Sequence, residues 1–147
     1  MSPKPIFREV IHPPLWLIAF LYFMLYSLVL AIWAAFDDAI ALNAFAIATV
    51  LGLLIIYLAR SSITIDGKEL RVGKAHIPLQ YLGDSEIVSK KNFGIARTRG
   101  ADPAAYLALT FWISEGVKIE VRDERDPTPY WLISTRKGEE LLRALKS

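Results

Sequence analysis

The chain has 147 residues, a formal net charge of +2 at neutral pH and an apolar content of 54%. That length supports one modest domain besides any membrane segment, and so small a net charge argues against nucleic acid as a partner. Cysteine is absent, which excludes disulfides, thiol nucleophiles and cysteine metal sites.

Two apolar runs without charged residues, 15–36 and 39–59, lie close together near the N-terminus. At a rise of about 1.5 Å per residue each predicts a helix of roughly 30 Å, the thickness of a bilayer's hydrocarbon core. A cleaved signal peptide is the alternative for the first run, but a signal core of about 7–15 residues is shorter and a second run follows at once. We therefore expect a transmembrane hairpin of two helices, about 15–36 and 39–59.

The charges that flank the two runs predict the orientation of the hairpin. Lys4 and Arg8 precede the first run and Arg60 follows the second, whereas the turn between the runs carries only Asp37 and Asp38. Basic residues stay on the cytoplasmic side of a membrane. We expect a two-span protein of the bacterial cytoplasmic membrane with both termini in the cytoplasm.

Small residues recur every four positions in both predicted helices, which places each set on one helix face. These candidates for helix packing are Ser27 and Ala31 in the first helix and Ala44, Ala48 and Gly52 in the second. The sets predict the contact face of the hairpin; a dimerisation face, or chance in two alanine-rich runs, are the alternatives. Neither run contains Asp, Glu, Lys, Arg or His, so we do not expect a transport path through this chain alone.

From residue 61 onward the apolar pattern changes to a period of two, which predicts strands. We divide the chain into residues 1–60, with the hairpin, and a cytoplasmic β-rich domain, residues 61–147. Residues 90–103 are predicted to be a loop, and residues 137–146 a closing amphipathic helix. About seven short strands are expected, at residues 61–65, 69–72, 76–79, 85–89, 106–112 (a buried strand, apolar on both faces), 117–121 and 130–135.

Three motifs carry a resemblance to known families: Ser62-Ile-Thr-Ile-Asp-Gly-Lys-Glu-Leu-Arg-Val-Gly, Ala101-Asp-Pro-Ala-Ala-Tyr-Leu and Asp126-Pro-Thr-Pro-Tyr-Trp-Leu-Ile-Ser-Thr-Arg. The first motif is similar to the opening of bacterial pleckstrin-homology-like domains, which often follow a pair of membrane helices. The strand order with a closing helix resembles the pleckstrin-homology-like barrel. The whole chain resembles an uncharacterised family of small actinobacterial membrane proteins, which implies kinship but no activity. The expected fold is an α+β membrane protein with such a barrel; an open sheet with one helix is the alternative.

The sequence gives no pattern that predicts a reaction or a cofactor. Its two histidines, His12 and His76, lie far apart and have no cysteine to share a metal. The segment from Gly94 to Gly100 has the glycines of a phosphate-binding loop but lacks the Gly-Lys-Ser/Thr ending. We expect no catalytic, cofactor-binding or metal-binding residues, and no enzymatic activity.

One basic cluster is a candidate for lipid contact. Lys90, Lys91, Arg97 and Arg99 lie within one predicted loop, with Phe93 between them. Each basic side chain close to an anionic leaflet contributes about 1 kcal/mol to binding, and Phe93 would insert at the interface. A solvated loop, or a site for another partner, are the alternatives.

Tyr130, Trp131 and Arg136 are candidates for docking a protein partner, because such residues dominate interfaces. The alternative is that the prolines before them fix a turn and one aromatic ring packs inside the domain. The leading expectation is a non-catalytic, membrane-anchored binding or scaffold module that docks a protein partner or a second copy. An anionic-lipid-contacting module and an accessory subunit of a membrane enzyme complex are the alternatives.

Overall fold

The computed structural model describes residues 4–147 and shows an α+β chain. It divides into two compact units. The helical unit is His12–Arg60, and the sheet unit combines the residues up to Ile11 with Ser61–Ser147. Residues 1–60 are predicted to form one segment, whereas the described residues before His12 belong to the sheet unit.

The helical unit consists of two long helices, α1 (Leu15–Ala35) and α2 (Asp38–Leu58). Their mean hydropathies are 2.4 and 2.5, and both are long and apolar enough to cross a membrane. Asp37 caps α2, since its carboxylate accepts the N–H of Ile40 at 2.9 Å. This cap satisfies one of the free N–H groups at the helix start.

The contact between α1 and α2 pairs small residues of one helix with aromatic residues of the other. Ala48 and Gly52 of α2 are buried, and a Cβ at Gly52 would lie only 2.7 Å from the ring of Tyr22. The hydroxyl of Tyr26 lies 3.0 Å from that of Thr49, so the two share a hydrogen bond. The absence of side-chain bulk on α2 therefore makes room for the tyrosines of α1.

The other predicted packing residues are less buried than expected. Ala44 is half-buried, whereas Ser27 and Ala31 of α1 are exposed, and the Ser27 hydroxyl bonds to its own helix at the carbonyl of Phe23. The prediction that small residues face each other is wrong for α1. Its contact face carries tyrosines, which fill the groove beside Gly52.

The sheet unit contains two four-stranded sheets, with strand orders β1-β2-β3-β4 and β5-β7-β8-β6. Neighbouring strands are antiparallel except β6 and β8, which are parallel. A 3₁₀ turn at Leu79–Tyr81 joins the two sheets. The strands are β1 (Phe7–Ile11), β2 (Ser61–Ile65), β3 (Glu69–Val72), β4 (Ala75–Pro78), β5 (Leu82–Val88), β6 (Tyr106–Ala108), β7 (Gly116–Val121) and β8 (Tyr130–Ser134).

The first strand, β1, was not expected from the sequence. It pairs antiparallel with β2, so that Phe7 lies opposite Ile65 and Ile11 opposite Ser61. Phe7 and Ile11 are buried on its inner face. The sheet unit is therefore assembled from segments on both sides of the helical unit in the sequence.

One hydrophobic core joins the two sheets and the last helix, α4 (Gly138–Lys146). Ile63 and Leu70 of the first sheet, and Ile119 of the second, are fully buried in it. Leu141 and Ala144 of α4 belong to the same core. The closing amphipathic helix predicted for residues 137–146 is confirmed in its place and in its inward face.

Candidate functional site

The predicted basic loop contains a helix, α3 (Lys90–Ala96), on the outer face of the second sheet. Phe93 is fully buried and packs with Val88 and Leu132. Gly116 makes room for the Phe93 ring, because a Cβ there would lie 2.7 Å from it. The structure therefore contradicts a lipid contact by Phe93, whose ring holds α3 on the sheet.

The four basic residues of this segment do not form one cluster. Lys90 and Lys91 open α3, whereas Arg97 and Arg99 follow its end. A helix of this length is roughly 10 Å long. Lys90, Lys91 and Arg99 are exposed and Arg97 is half-buried. The lysines and the arginines thus belong to opposite ends of the helix.

The three predicted docking residues also fail to form one surface. Trp131 is 5% exposed and packs against Tyr106, with the ring planes tilted by 43° and the ring centroids 4.6 Å apart. Tyr130 is half-buried; its hydroxyl accepts the N–H of Asp102 at 3.0 Å, and the Lys118 ammonium lies 4.4 Å from its ring centroid. Arg136 is exposed, but it lies beyond the other end of β8, roughly 20 Å from Tyr130 at the rise of a strand.

Glu9 forms a buried hydrogen-bonded site that the sequence analysis missed. It lies on the inner face of β1 and is 6% exposed. Its carboxylate accepts the hydroxyl of Thr135, which is itself 1% exposed, and the N–H of Arg136 at 3.2 Å. Thr135 in turn accepts the N–H of Lys137 at 3.0 Å. These bonds join β1 to the segment that connects β8 with α4.

A shallow cleft of about 380 Å³ lies beside this segment. Its wall includes Thr135 and the first turn of α4, and it contains charges of both signs. The charged lining residues are Glu115, Arg136, Lys137, Glu139, Glu140 and Arg143. This mixture of charges does not favour either an anionic or a cationic ligand in the cleft. Among residues 4–147, no group of three His, Cys, Asp or Glu side chains could hold a metal ion.

The segment predicted to be a buried strand, residues 106–112, lies at an exposed edge. Only Tyr106–Ala108 forms a strand, β6. Leu107 and Leu109 are 38% and 36% exposed, and Phe111 is 67% exposed. The expectation of a strand buried on both faces is wrong, because β6 is the last strand of its sheet.

At the end of the second sheet where β5 begins and β7 ends, one arginine pairs with two carboxylates. Arg122 bridges Asp84 and Glu120, with both N–O distances at 3.3 Å. The hydrogen bond from Arg122 lowers the pKa of Glu120 below its ordinary value. The hydroxyl and N–H of Thr128 lower the pKa of Asp126 in the same way. All of these carboxylates are accessible to solvent, so they contribute little to stability.

Comparison with protein-family models gives a match over residues 6–145, described as "Protein of unknown function (DUF3093)". No curated protein and no solved structure is significantly similar to the chain. The family match covers both the helical and the sheet unit.

Proposed function

Because the chain belongs to the DUF3093 family, whose description names no activity, we propose a function from its own residues. The protein is a non-catalytic binding module that α1 and α2 anchor in the bacterial cytoplasmic membrane. Its sheet unit, a pleckstrin-homology-like barrel closed by α4, docks a protein partner at the inner face. The main observation behind the docking of a partner is the exposed edge of the second sheet at β6.

The pairing of β1 with β2 supports a two-span anchor. β1 precedes α1 in the sequence and β2 follows α2, yet Ile11 lies opposite Ser61 in the sheet. Two spans return the chain to the side from which it started, which this pairing requires. The positions of the basic residues Lys4, Arg8 and Arg60 favour the cytoplasm as that side.

The edge at β6 supports docking of an extended segment from a partner. β6 bonds to β8 on one side and is the end strand of its sheet in the part of the chain that the structure describes. Natural proteins usually protect such edges with charges, prolines or covering elements. Residues 104–114 contain neither charge nor proline, and Tyr106 and Leu107 are more than a third exposed. An added strand would gain main-chain hydrogen bonds here and bury these side chains.

Site-specific photo-crosslinking in native membranes tests the docking edge. A photoreactive residue at Leu107 is compared with one at His76, an exposed position on β4, which ends the other sheet. We expect a discrete crosslinked protein from Leu107 that the His76 position does not give. The mass of the crosslinked product shows whether the partner is a second copy of this chain or a different protein. The identity of a different protein shows whether this chain is a scaffold or an accessory subunit of an enzyme. Equal labelling at both positions, or none at Leu107, would refute docking at this edge.

The proposed topology has its own test, because the natural chain has no cysteine. A cysteine at Asp38 should react with an impermeant reagent in intact cells, and a cysteine at Ser147 should react only after lysis. The reverse pattern would place the sheet unit outside the cell.

A further inference from the structure

One end of the second sheet brings basic and apolar side chains into a row. Strand register places Val88 beside Gly116 and Gly116 beside Ser134, and Ala108 of β6 follows beside Ile133. The four strands span roughly 15 Å at the usual spacing. The residues that extend from these strand ends form what we call the basic end: Lys90, Lys91, Arg136, Lys137, Leu109 and Phe111.

The apolar part of the basic end is unusually exposed for the sheet unit. Phe111 is 67% exposed, the largest exposed fraction among the large hydrophobic residues of this unit within the described chain. Its ring contacts Trp112 edge-on, with centroids 5.0 Å apart. The segment is fixed to the sheet because the N–H of Thr110 bonds to the hydroxyl of Ser134 at 2.9 Å. An exposed apolar ring that is held in place can insert into a membrane interface, as Phe and Leu side chains of interfacial segments do.

The basic end lies on the side of the sheet unit where the chain leaves for α1. Thr135 follows β8 at this end and donates its hydroxyl to Glu9 of β1. β1 ends at Ile11, and α1 begins at Leu15. If α1 spans the bilayer, as proposed above, this short connection keeps the basic end within reach of the bilayer surface.

The two ends of the second sheet differ in charge. At the basic end, three carboxylates partly offset the positive charge of the two lysines that follow β5 and of the two basic residues that follow β8. These carboxylates belong to Glu115, Glu139 and Glu140. At the opposite end, where β5 and β8 begin and β7 ends, acidic residues outnumber basic ones. The acidic residues are Asp84, Asp102, Glu120, Asp123, Glu124 and Asp126, and the basic residues are Arg97, Arg99, Arg122 and Arg125. Only the basic end combines an excess of basic over acidic residues with exposed apolar groups, which is the combination that an anionic bilayer surface attracts.

We infer that the basic end contacts the anionic surface of the bilayer that α1 and α2 span. Lys90 and Lys91 lie at the level of the lipid phosphates, and Phe111 enters the interface beside Leu109. Arg97 and Arg99 take no part, because α3 directs them to the opposite end. This contact fixes the orientation of a unit that the proposed anchor already holds near the membrane.

Spin-label accessibility on the full chain tests the contact. The protein with Leu109→Cys carries the chain's single thiol and is reconstituted in nanodiscs of phosphatidylcholine, with or without phosphatidylglycerol. We expect the label to be protected from an aqueous nickel chelate and accessible to oxygen only in the anionic discs. A label at Ile95, an exposed apolar position on α3 (54%), should remain aqueous in both.

Two matched charge variants test whether Lys90 and Lys91 contribute to the contact with the bilayer surface. Lys90→Gln with Lys91→Gln should reduce the ratio of contacting to detached units about 30-fold, which corresponds to about 2 kcal/mol for two lysines. Arg97→Gln with Arg99→Gln removes the same charge and should leave the ratio unchanged. High salt should reproduce the effect of the lysine variant, since it screens surface charge.

Three results would overturn the inference. The first is an aqueous Leu109 label in anionic discs, and the second is equal protection in neutral discs. The third is an equal loss of contact in the lysine and arginine variants, which would show that total charge matters and the basic end does not.

Discussion

The hydroxyl of Thr135 connects Glu9 with Lys137 inside the sheet unit, and Thr135→Val removes this connection with almost no change in shape. The substitution removes the O–H that Glu9 accepts and leaves the carboxylate with the N–H of Arg136 at 3.2 Å. It also removes the acceptor of the Lys137 N–H. Hydrogen bonds to charged groups contribute about 1.5–3 kcal/mol. We therefore expect a loss of about 2–3 kcal/mol in the free energy of unfolding.

For a unit of about 100 residues this loss lowers the melting temperature by about 10–20 °C. Near-ultraviolet circular dichroism of the full chain in detergent measures it, at neutral pH. Thr64→Val is the matched control: Thr64 lies on the outer, half-buried face of β2. A Thr135→Val variant within about 0.5 kcal/mol of the control would show that the Glu9 site adds nothing to stability, and the reasoning would fail.

Three further predictions concern other positions. Gly116→Ala should lower the melting temperature strongly because its Cβ overlaps the neighbouring strand and the α3 aromatic ring, whereas Gly94→Ala, with open space around it, should be neutral or stabilising. Gly52→Val should broaden the distance distribution between spin labels at the two ends of the hairpin, since it displaces a tyrosine ring, while Ala46→Val on the exposed face should not. Asp66→Asn should reduce stability above the ordinary carboxyl pKa of 3.8 and have no effect in stronger acid, as a pH series of melting curves would show.

The pH dependence expected for Asp66→Asn follows from the hydrogen bonds that Asp66 accepts in the folded state. The N–H groups of Lys68 and Glu69 bond to Asp66 and lower its pKa. A lowered pKa stabilises the fold above the ordinary value, and this stability disappears as the pH falls through the folded value. Wild type and Asp66→Asn should therefore converge in acid. Parallel curves at every pH would contradict this assignment.

The long helices and the closing helix could be predicted from the sequence because their signals are local. Uninterrupted apolar runs set the bounds of α1 and α2 to within one residue of those expected. β1 could not be predicted in this way. Its inner face carries Glu9 between Phe7 and Ile11, so the period of two is broken, and its partner strand lies beyond both helices.

The burial of the candidate site residues depends on contacts between distant parts of the sequence, which no local pattern reveals. Phe93 is buried because Gly116, on another strand, leaves space for its ring. Tyr130 and Trp131 are neighbours in the sequence, and only the register of β8 decides which of them enters the core. The exposure of Tyr106, Leu107, Leu109 and Phe111 follows from the position of β6 at the end of its sheet, which is a property of the topology.

The pairing of β1 with β2 also has a consequence for biosynthesis. The ribosome releases β1 first, and its partner emerges only after the whole of His12–Arg60 has been made. Until then the apolar side chains of Phe7 and Ile11 have no sheet to cover them. A nascent chain in which only one of the two proposed spans inserted would leave β1 and β2 on opposite sides of the membrane, where they cannot pair. If α1 and α2 span the membrane as proposed, completion of the sheet would act as a checkpoint for correct insertion, and chains with the wrong topology would be left unfolded for proteolysis.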